Sequence, residues 1–303
     1  MAKASYLAGV ALALAAGSAL AADLPSRKAP PPAFVPPPPA FSWTGLYGGV
    51  NIGYGFGASS SIRGGELLTQ VPGAGPFAGA VDVAAGAWNM PTNLNGVLGG
   101  GQIGYNYQFS PWLVVGVEAD IQAADLRTSQ AAGVSYISPV TGAGVTGYAN
   151  ANQYVDWFGT VRGRLGLTLP SWPNLMIFGT GGFAYGSVES AHRYTRFDGS
   201  APLFATQASA TTTSTNTGWT AGGGVEWTPM AFPAWSLKVE YLYTDLGSIN
   251  QVGTGFYSAG AFGGPATMLV TGNQANFRWH TVRAGVNWHF NPFGSSAPVL
   301  AKY

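Results

Sequence analysis

Two runs of sequence decide the fold: Val97-Leu98-Gly99-Gly100-Gly101-Gln102-Ile103-Gly104-Tyr105-Asn106-Tyr107-Gln108-Phe109, and, after Ser110-Pro111, Trp112-Leu113-Val114-Val115-Gly116-Val117-Glu118-Ala119-Asp120-Ile121. Taken alternately, their residues fall into two faces. One is almost wholly apolar, and the other carries Gln, Asn, Glu and Asp. Period-two alternation of this kind is the mark of a β-strand with different surroundings on its two sides. Units of the same type, rich in Gly and aromatic residues, recur along the chain. Very short and very long connections follow them by turns.

The bulk composition says which side meets what. Charged residues make up 8% of the chain, against roughly 25% in ordinary soluble domains. Aromatic residues reach 13%, there are 45 Gly, and the net charge is only +1. So apolar a surface needs a medium other than water. With no basic excess, a nucleic-acid partner is not expected. With no cysteine, disulfides, thiolate metal sites and Cys-based catalysis are excluded.

Residues 1–21 read as a cleaved export signal. Lys3 supplies the positive region, Leu7 to Leu20 the apolar run, and Ala19-Leu20-Ala21 a small-x-small cleavage site, leaving Ala22 as the mature N-terminus. The apolar run is shorter than the roughly 20 residues of a spanning helix, and no later stretch approaches that length. Residues 22–42 contain Pro30-Pro31-Pro32 and Pro36 to Pro39. Repeated proline fixes φ and removes donors, so this segment is expected to be an extended periplasmic tether.

Between residues 43 and 290 eight strands are expected, at about Thr44–Phe56, Gly96–Phe109, Trp112–Ala124, Asp156–Leu169, Met176–Val188, Gly218–Thr228, Trp235–Thr244 and Phe277–Phe290. The even links are short and carry turn residues. The odd links are longer than the roughly 12–15 residues beyond which structureless loops become uncommon in compact domains. Short turns on one side and long loops on the other characterise outer-membrane barrels. The even strand count puts both termini in the periplasm. Outward aromatics gather at two levels, with Phe109, Trp227, Trp235 and Trp288 low and Tyr54, Tyr185, Trp219 and Tyr243 high. These are the girdles that flank an apolar band. A soluble barrel would carry Lys, Glu and Asp on these outer faces instead. Val81 to Ala87 and Phe204, in two of the long links, are apolar enough to extend strands above the membrane or to add strands, for a total of ten. The fold class expected is all-β, an antiparallel up-and-down transmembrane barrel of eight strands.

Eight charged residues fall on inward faces: Glu118, Asp120, Arg162, Arg164, Glu226, Lys238, Glu240 and Arg283, four of each sign. Eight strands leave an interior that side chains just fill, so such charges pair or stay hydrated. Glu118 should lie level with Arg162 or Arg164, and Glu240 close to Arg283. The expected reading is a polar core that cross-links the barrel. Its competitor is a narrow, weakly selective diffusion channel.

Enzyme chemistry comes third. His192 is expected in a loop, His280 outward at the upper rim and His289 at the lower rim, so the three cannot converge. The triple-Gly runs lie within strands rather than opening helices. No catalytic, cofactor or metal site is expected. Arg278 and His280, on the lipid face near the upper rim, are candidate contacts for lipopolysaccharide headgroups. Arg193 and Arg196 could add to them. The long loops are candidate surfaces for host or other external ligands, and the barrel is expected to be a monomer.

The chain also resembles a known family, the alphaproteobacterial outer-membrane β-barrel proteins often called outer-membrane immunogenic proteins or the small porin-like family. The resemblance rests on Ala22-Asp23-Leu24-Pro25, on the run from Ser42 to Tyr54 and on Gly116 to Ile121. It continues through Thr160 to Gly166, Gly218 to Trp227, Val239 to Gly247 and His280 to Asn287. It implies an eight-stranded barrel similar to the outer-membrane protein A transmembrane domain, abundant at the surface and often antigenic. It also implies recognition by the barrel-assembly machinery through an aromatic residue closing the last strand. Here Phe290 closes that strand, yet residues 291–303 continue as a tail, so the signal is read either internally or through Tyr303.

Overall fold

The computed structural model describes residues 41–70, 81–83, 87–137, 144–198, 205–257 and 267–290. The signal, all of the tether before Phe41, Phe204 and the C-terminal tail lie outside them. The described chain contains eleven strands: β1 (Gly45–Gly57), β2 (Ser60–Gln70), β3 (Val81–Val83), β4 (Trp88–Thr92), β5 (Gly96–Ser110), β6 (Leu113–Ile137), β7 (Gly144–Leu169), β8 (Trp172–Asp198), β9 (Ala205–Trp227), β10 (Trp235–Tyr257) and β11 (Thr267–His289).

Eight of them close a ring. Antiparallel pairing runs in the order β1-β5-β6-β7-β8-β9-β10-β11, and β1 returns to β11 with Tyr47 opposite His289 and Gly57 opposite Trp279. Closure leaves no free sheet edge at this level, as a barrel in hydrocarbon requires. The expected faces hold here. Val50, Ile52, Val117, Val161, Leu165, Val239 and Val282 are exposed on the outer surface, whereas Asn51, Glu118, Arg162, Glu240 and Arg283 are buried within. The lower girdle is in register, with Trp235 opposite Trp288 and their rings 4.6 Å apart at 90°. In the upper girdle Trp219 meets Tyr243 at 5.2 Å.

The long links depart from expectation, because they are mostly not loops. β6, β7 and β8 run 25, 26 and 27 residues, and β9, β10 and β11 run 23 each. Segments such as Thr211-Thr212-Thr213-Ser214-Thr215 read as loop because they are polar. Threonine, however, is β-branched and suits a strand wherever neighbouring strands supply pairing. The first link folds into β2, β3 and β4. β2 pairs with β11 from Ile62–Ala275 to Gln70–Thr267, and with β4 on its other side. Asn95 and Arg127 then exchange backbone hydrogen bonds of 3.2 and 3.0 Å, tying the end of this segment to β6. Above Gly57, β2 and β4 thus stand where β1 and β5 stand below. Among the described residues, eight strands close the lower ring, and above it β2 and β4 continue the wall, with β3 paired to the far end of β2.

The polarity of the wall inverts along its length. Beyond the upper girdle the outer face becomes polar, with Asn150, Arg193, Thr211, Thr213, Thr215 and Gln274 exposed. The inner face becomes largely apolar: Ile62, Trp88, Leu126, Val155, Phe158, Tyr194, Leu246, Phe277 and Trp279 form one buried cluster, with the buried Gln153, Ser190 and His192 on the same face. Extra residues in β6 (between Ala123 and Leu126), β7 (between Val155 and Trp157) and β10 (between Asp245 and Ser248) mark this transition. The β10 bulge needs a glycine, since Gly247 sits at φ 76°. Each half therefore turns its apolar face away from water: outward to lipid below, inward to a core above.

This division predicts opposite responses to one substitution. Val239→Arg, on the lipid face, should cost about 2–4 kcal/mol. Thr215→Arg, on the outer wall above the girdle, should stay within roughly 0.5 kcal/mol. Denaturant unfolding of refolded protein in lipid vesicles measures both, and equal losses would refute the inversion.

Candidate functional site

The charged residues enter the lower lumen from five strands. β6 carries Glu118 and Asp120, β7 Arg162 and Arg164, β9 Glu226, β10 Lys238 and Glu240, and β11 Arg283. Strict alternation points all of them inward, and the register sets their heights. Glu118 lies opposite Arg162, Lys238 opposite Glu226, and Glu240 opposite Arg283.

They form one connected network centred on Glu118. Its carboxylate accepts from Arg162 at 2.5 Å, from Lys238 at 2.9 Å and from the Tyr47 hydroxyl at 2.7 Å. Arg164 and Arg283 stand 3.6 and 3.7 Å away, so all four cations lie within ion-pair distance of this one group. Above it, Asp120 accepts from Arg162 and Arg283, each at 2.9 Å, and from Thr160 at 2.7 Å. Glu240 accepts from Arg162 at 3.0 Å and Arg283 at 2.5 Å, and pairs with Lys238 at 3.2 Å. Below it, Glu226 pairs with Arg164 and accepts from Ser236 at 2.5 Å and Asn287 at 2.8 Å. Glu118 lies level with Arg162 and Glu240 with Arg283, and Glu118 comes within ion-pair distance of both Arg162 and Arg164.

Several partners were not singled out from the sequence. Tyr47 is fully buried and bridges Glu118 and Arg164, whose guanidinium donates to its hydroxyl at 3.0 Å. Its ring lies over Gly104, where an added Cβ would come within 2.4 Å of it, so that position must be glycine. Its signal was present, since Tyr47 shares the inward parity of Asn51. Trp43 fills the lower mouth, donating from its indole to the Pro173 carbonyl at 2.9 Å. It packs with Val114, Met176, Phe178 and Phe41. The lumen therefore reads, from bottom to top, as an aromatic and apolar stopper, a charge network and a largely apolar core, with the buried Arg196 and Glu66 near the outer end.

The remaining candidates separate. Arg278 and His280 lie on the outer face as expected. Arg278 is already paired with Asp245 at 2.9 Å, and His280 stacks among Phe56, Tyr241 and Tyr243. Arg193 is exposed, but Arg196 is not available to headgroups. It points inward near the outer end and is buried beside Glu66 at 3.4 Å and the Tyr136 hydroxyl at 2.6 Å. His192 is on β8 rather than in a loop, buried between Gln251 at 3.2 Å and Thr271 at 3.0 Å. Burial lowers its pKa from the ordinary 6.5, and the Gln251 hydrogen bond works in the opposite direction.

Two outcomes follow. Removing one partner of a buried charge cluster strands the others, at about 3–5 kcal/mol. Glu118→Ala should therefore lower the denaturant resistance of the heat-dependent gel-mobility shift without changing localisation, and unchanged resistance would count against the network. His192, with its depressed folded pKa, contributes stability that is full above about pH 6.5. That contribution is lost as the pH falls from there towards the lowered folded value. His192→Gln should flatten this part of the unfolding profile measured against pH.

The outer membrane protein beta-barrel domain model matches residues 9–290. The 31 kDa outer-membrane immunogenic protein of Brucella melitensis biotype 1 is 37% identical over 296 residues, covering 95% of this chain and 100% of the relative. The protein of the same name from Brucella suis biovar 1 matches to the same extent. Among solved structures, the outer membrane protein OprG from Pseudomonas aeruginosa aligns with 82% of this chain and 98% of its own, at 12% identity and a TM-score of 0.34. The chain belongs to the outer-membrane β-barrel protein family, and it is an integral protein of the outer membrane.

Proposed function

We propose that this protein is a closed structural barrel that supports the envelope and presents a rigid surface to the outside, with both termini in the periplasm. The observation that carries the reading is the filling of its interior. Each of the eight lumen charges makes at least one ion pair, and the apolar cluster occupies the same axis above them. A conducting path would need wide hydrated space or a ring of one sign, and the network balances four charges of each. The name of its Brucella relatives supports a role as a surface antigen.

The reading is non-enzymatic. In its support, His192 is enclosed in the outer half, His280 sits in the lipid-facing girdle and His289 lies beside Glu226 and Trp43 near the lower mouth. Membrane lipid and lipopolysaccharide are the expected surroundings. Arg278 and His280 face the upper interface, where the Arg278 guanidinium, paired with Asp245 and 43% exposed, has further donors to offer a headgroup phosphate. The apolar band extends round all the wall strands, which supports a monomer. Phe290, exposed after β11, suits an outward-facing signal to the barrel-assembly machinery.

Planar-bilayer recording of refolded protein tests the closed lumen. Correctly folded protein should be electrically silent. Reproducible small channels would replace this reading with the narrow diffusion channel.

A further inference from the structure

The outer half carries a polar cleft that neither the closed lumen nor the girdles explain. It has a volume of ≈ 370 Å³ and is lined by Asn150 and Asn152 of β7, Ala191, His192 and Arg193 of β8, and Ser209 and Thr211 of β9. Pairing sets all of these but His192 in two tiers. Asn150, Arg193 and Ser209 lie across from one another, and so do Asn152, Ala191 and Thr211. The short Ala191 side chain makes the floor between longer polar neighbours. Arg193 is exposed and makes no ion pair among the described residues. Tyr148 stands above on β7, 52% exposed, and Tyr154 lies below on the same face.

Amide and hydroxyl groups at this spacing suit the hydroxyls of a sugar. The flanking tyrosines offer faces for its C–H surfaces, and the guanidinium is a fork for a phosphate or carboxylate. We propose that this cleft binds an anionic saccharide, and that its occupant is the core oligosaccharide of the lipopolysaccharide surrounding the barrel.

Height and position select that source. Arg193 is eight residues beyond the girdle residue Tyr185 on β8. At about 3.3 Å per residue and a 45° tilt, it stands about 19 Å above the interface. Headgroup phosphates lie lower, at the level of Arg278. Six of its lining residues share the outward parity of the wall, so the cleft is reached from beside the barrel, where surrounding lipopolysaccharide would stand. A glycan anchored in the same leaflet meets it at a high effective concentration, so modest intrinsic affinity suffices.

The inference rests on the outer half facing outward, but not on whether the lumen conducts. The test therefore uses binding alone. Full-length protein is refolded into phosphatidylcholine vesicles, its fold checked by the heat-dependent mobility shift, and titrated calorimetrically with core oligosaccharide released from lipid A by mild acid. Saturable binding is expected, about tenfold weaker for Arg193→Ala. A smaller loss is expected for Asn152→Ala, and none for Arg127→Ala, which removes an exposed arginine from a different strand. Dephosphorylated oligosaccharide should bind more weakly where phosphate is the anionic group. No binding by the parent protein, or equal binding by a folded Arg193→Ala variant, would overturn the proposal. Selective binding of a sulfated, heparin-type oligosaccharide in place of the core would also overturn it, reassigning the cleft to a glycan from another surface.

Discussion

In hydrocarbon no water can satisfy a backbone N–H or C=O, and the rest of this structure depends on that constraint. It forces the wall into a closed ladder, and here the ladder closes between β1 and β11 after eight strands. Eight strands leave a lumen that side chains just fill. Inward charges in so narrow a space have little water to turn to, so they must answer one another. Four carboxylates and four cations from five strands do so around Glu118, and the network tethers β6 to β7, β10 and β11 across the lumen. Charge balance is thus a consequence of strand number.

Above the lipid the constraint reverses while the strands continue. The outer wall now meets water, and the inside becomes the place to hide apolar surface. The same period-two alternation serves both regimes, with the sets of residues exchanged between faces. Trp88 stacks on Tyr194 at 4.9 Å, and Phe158 meets Trp279 edge-on at 5.3 Å, where below the girdle arginines meet carboxylates. The bulges in β6, β7 and β10 lie at the changeover, and β2 and β4 succeed β1 and β5 just above it. The upper half is built like a water-soluble barrel mounted on a membrane-spanning one.

That reversal explains what could be read from the sequence. Within lipid, an outward position tolerates almost nothing but apolar residues, so the alternation is clean and the parities of Glu118, Arg162, Glu240 and Arg283 follow from it. The girdle positions of Trp235 and Trp288 follow too. Above lipid the outer face accepts Thr, Ser, Asn and Gly, and these residues are also the vocabulary of loops. The strand character of Thr211 to Thr217 was hidden by that overlap, although every second residue there is threonine. Arg196 and His192 were misplaced for the same reason, because a residue assigned to a loop has no parity. Tyr47 was overlooked differently. Its parity was visible, but an inward tyrosine in a Gly-rich strand becomes significant only once Glu118 and Arg164 are known to converge on it.

The two fillings of the axis oppose each other chemically. An ion passing Trp43 could exchange hydration for the carboxylates and guanidinium groups of the lower network. It would then face the aliphatic and aromatic cluster above, where an unpaired charge is strongly disfavoured. An apolar solute meets the reverse order, accommodated above and excluded below unless it separates paired charges. Neither class of solute finds a continuous path of favourable surroundings. Rearranging the lower network alone leaves the upper core intact, since the two share no charged residue and are built from different levels of the same strands. On the proposed reading, closure of this barrel rests not on one salt bridge acting as a gate but on two barriers in series that exclude opposite classes of solute.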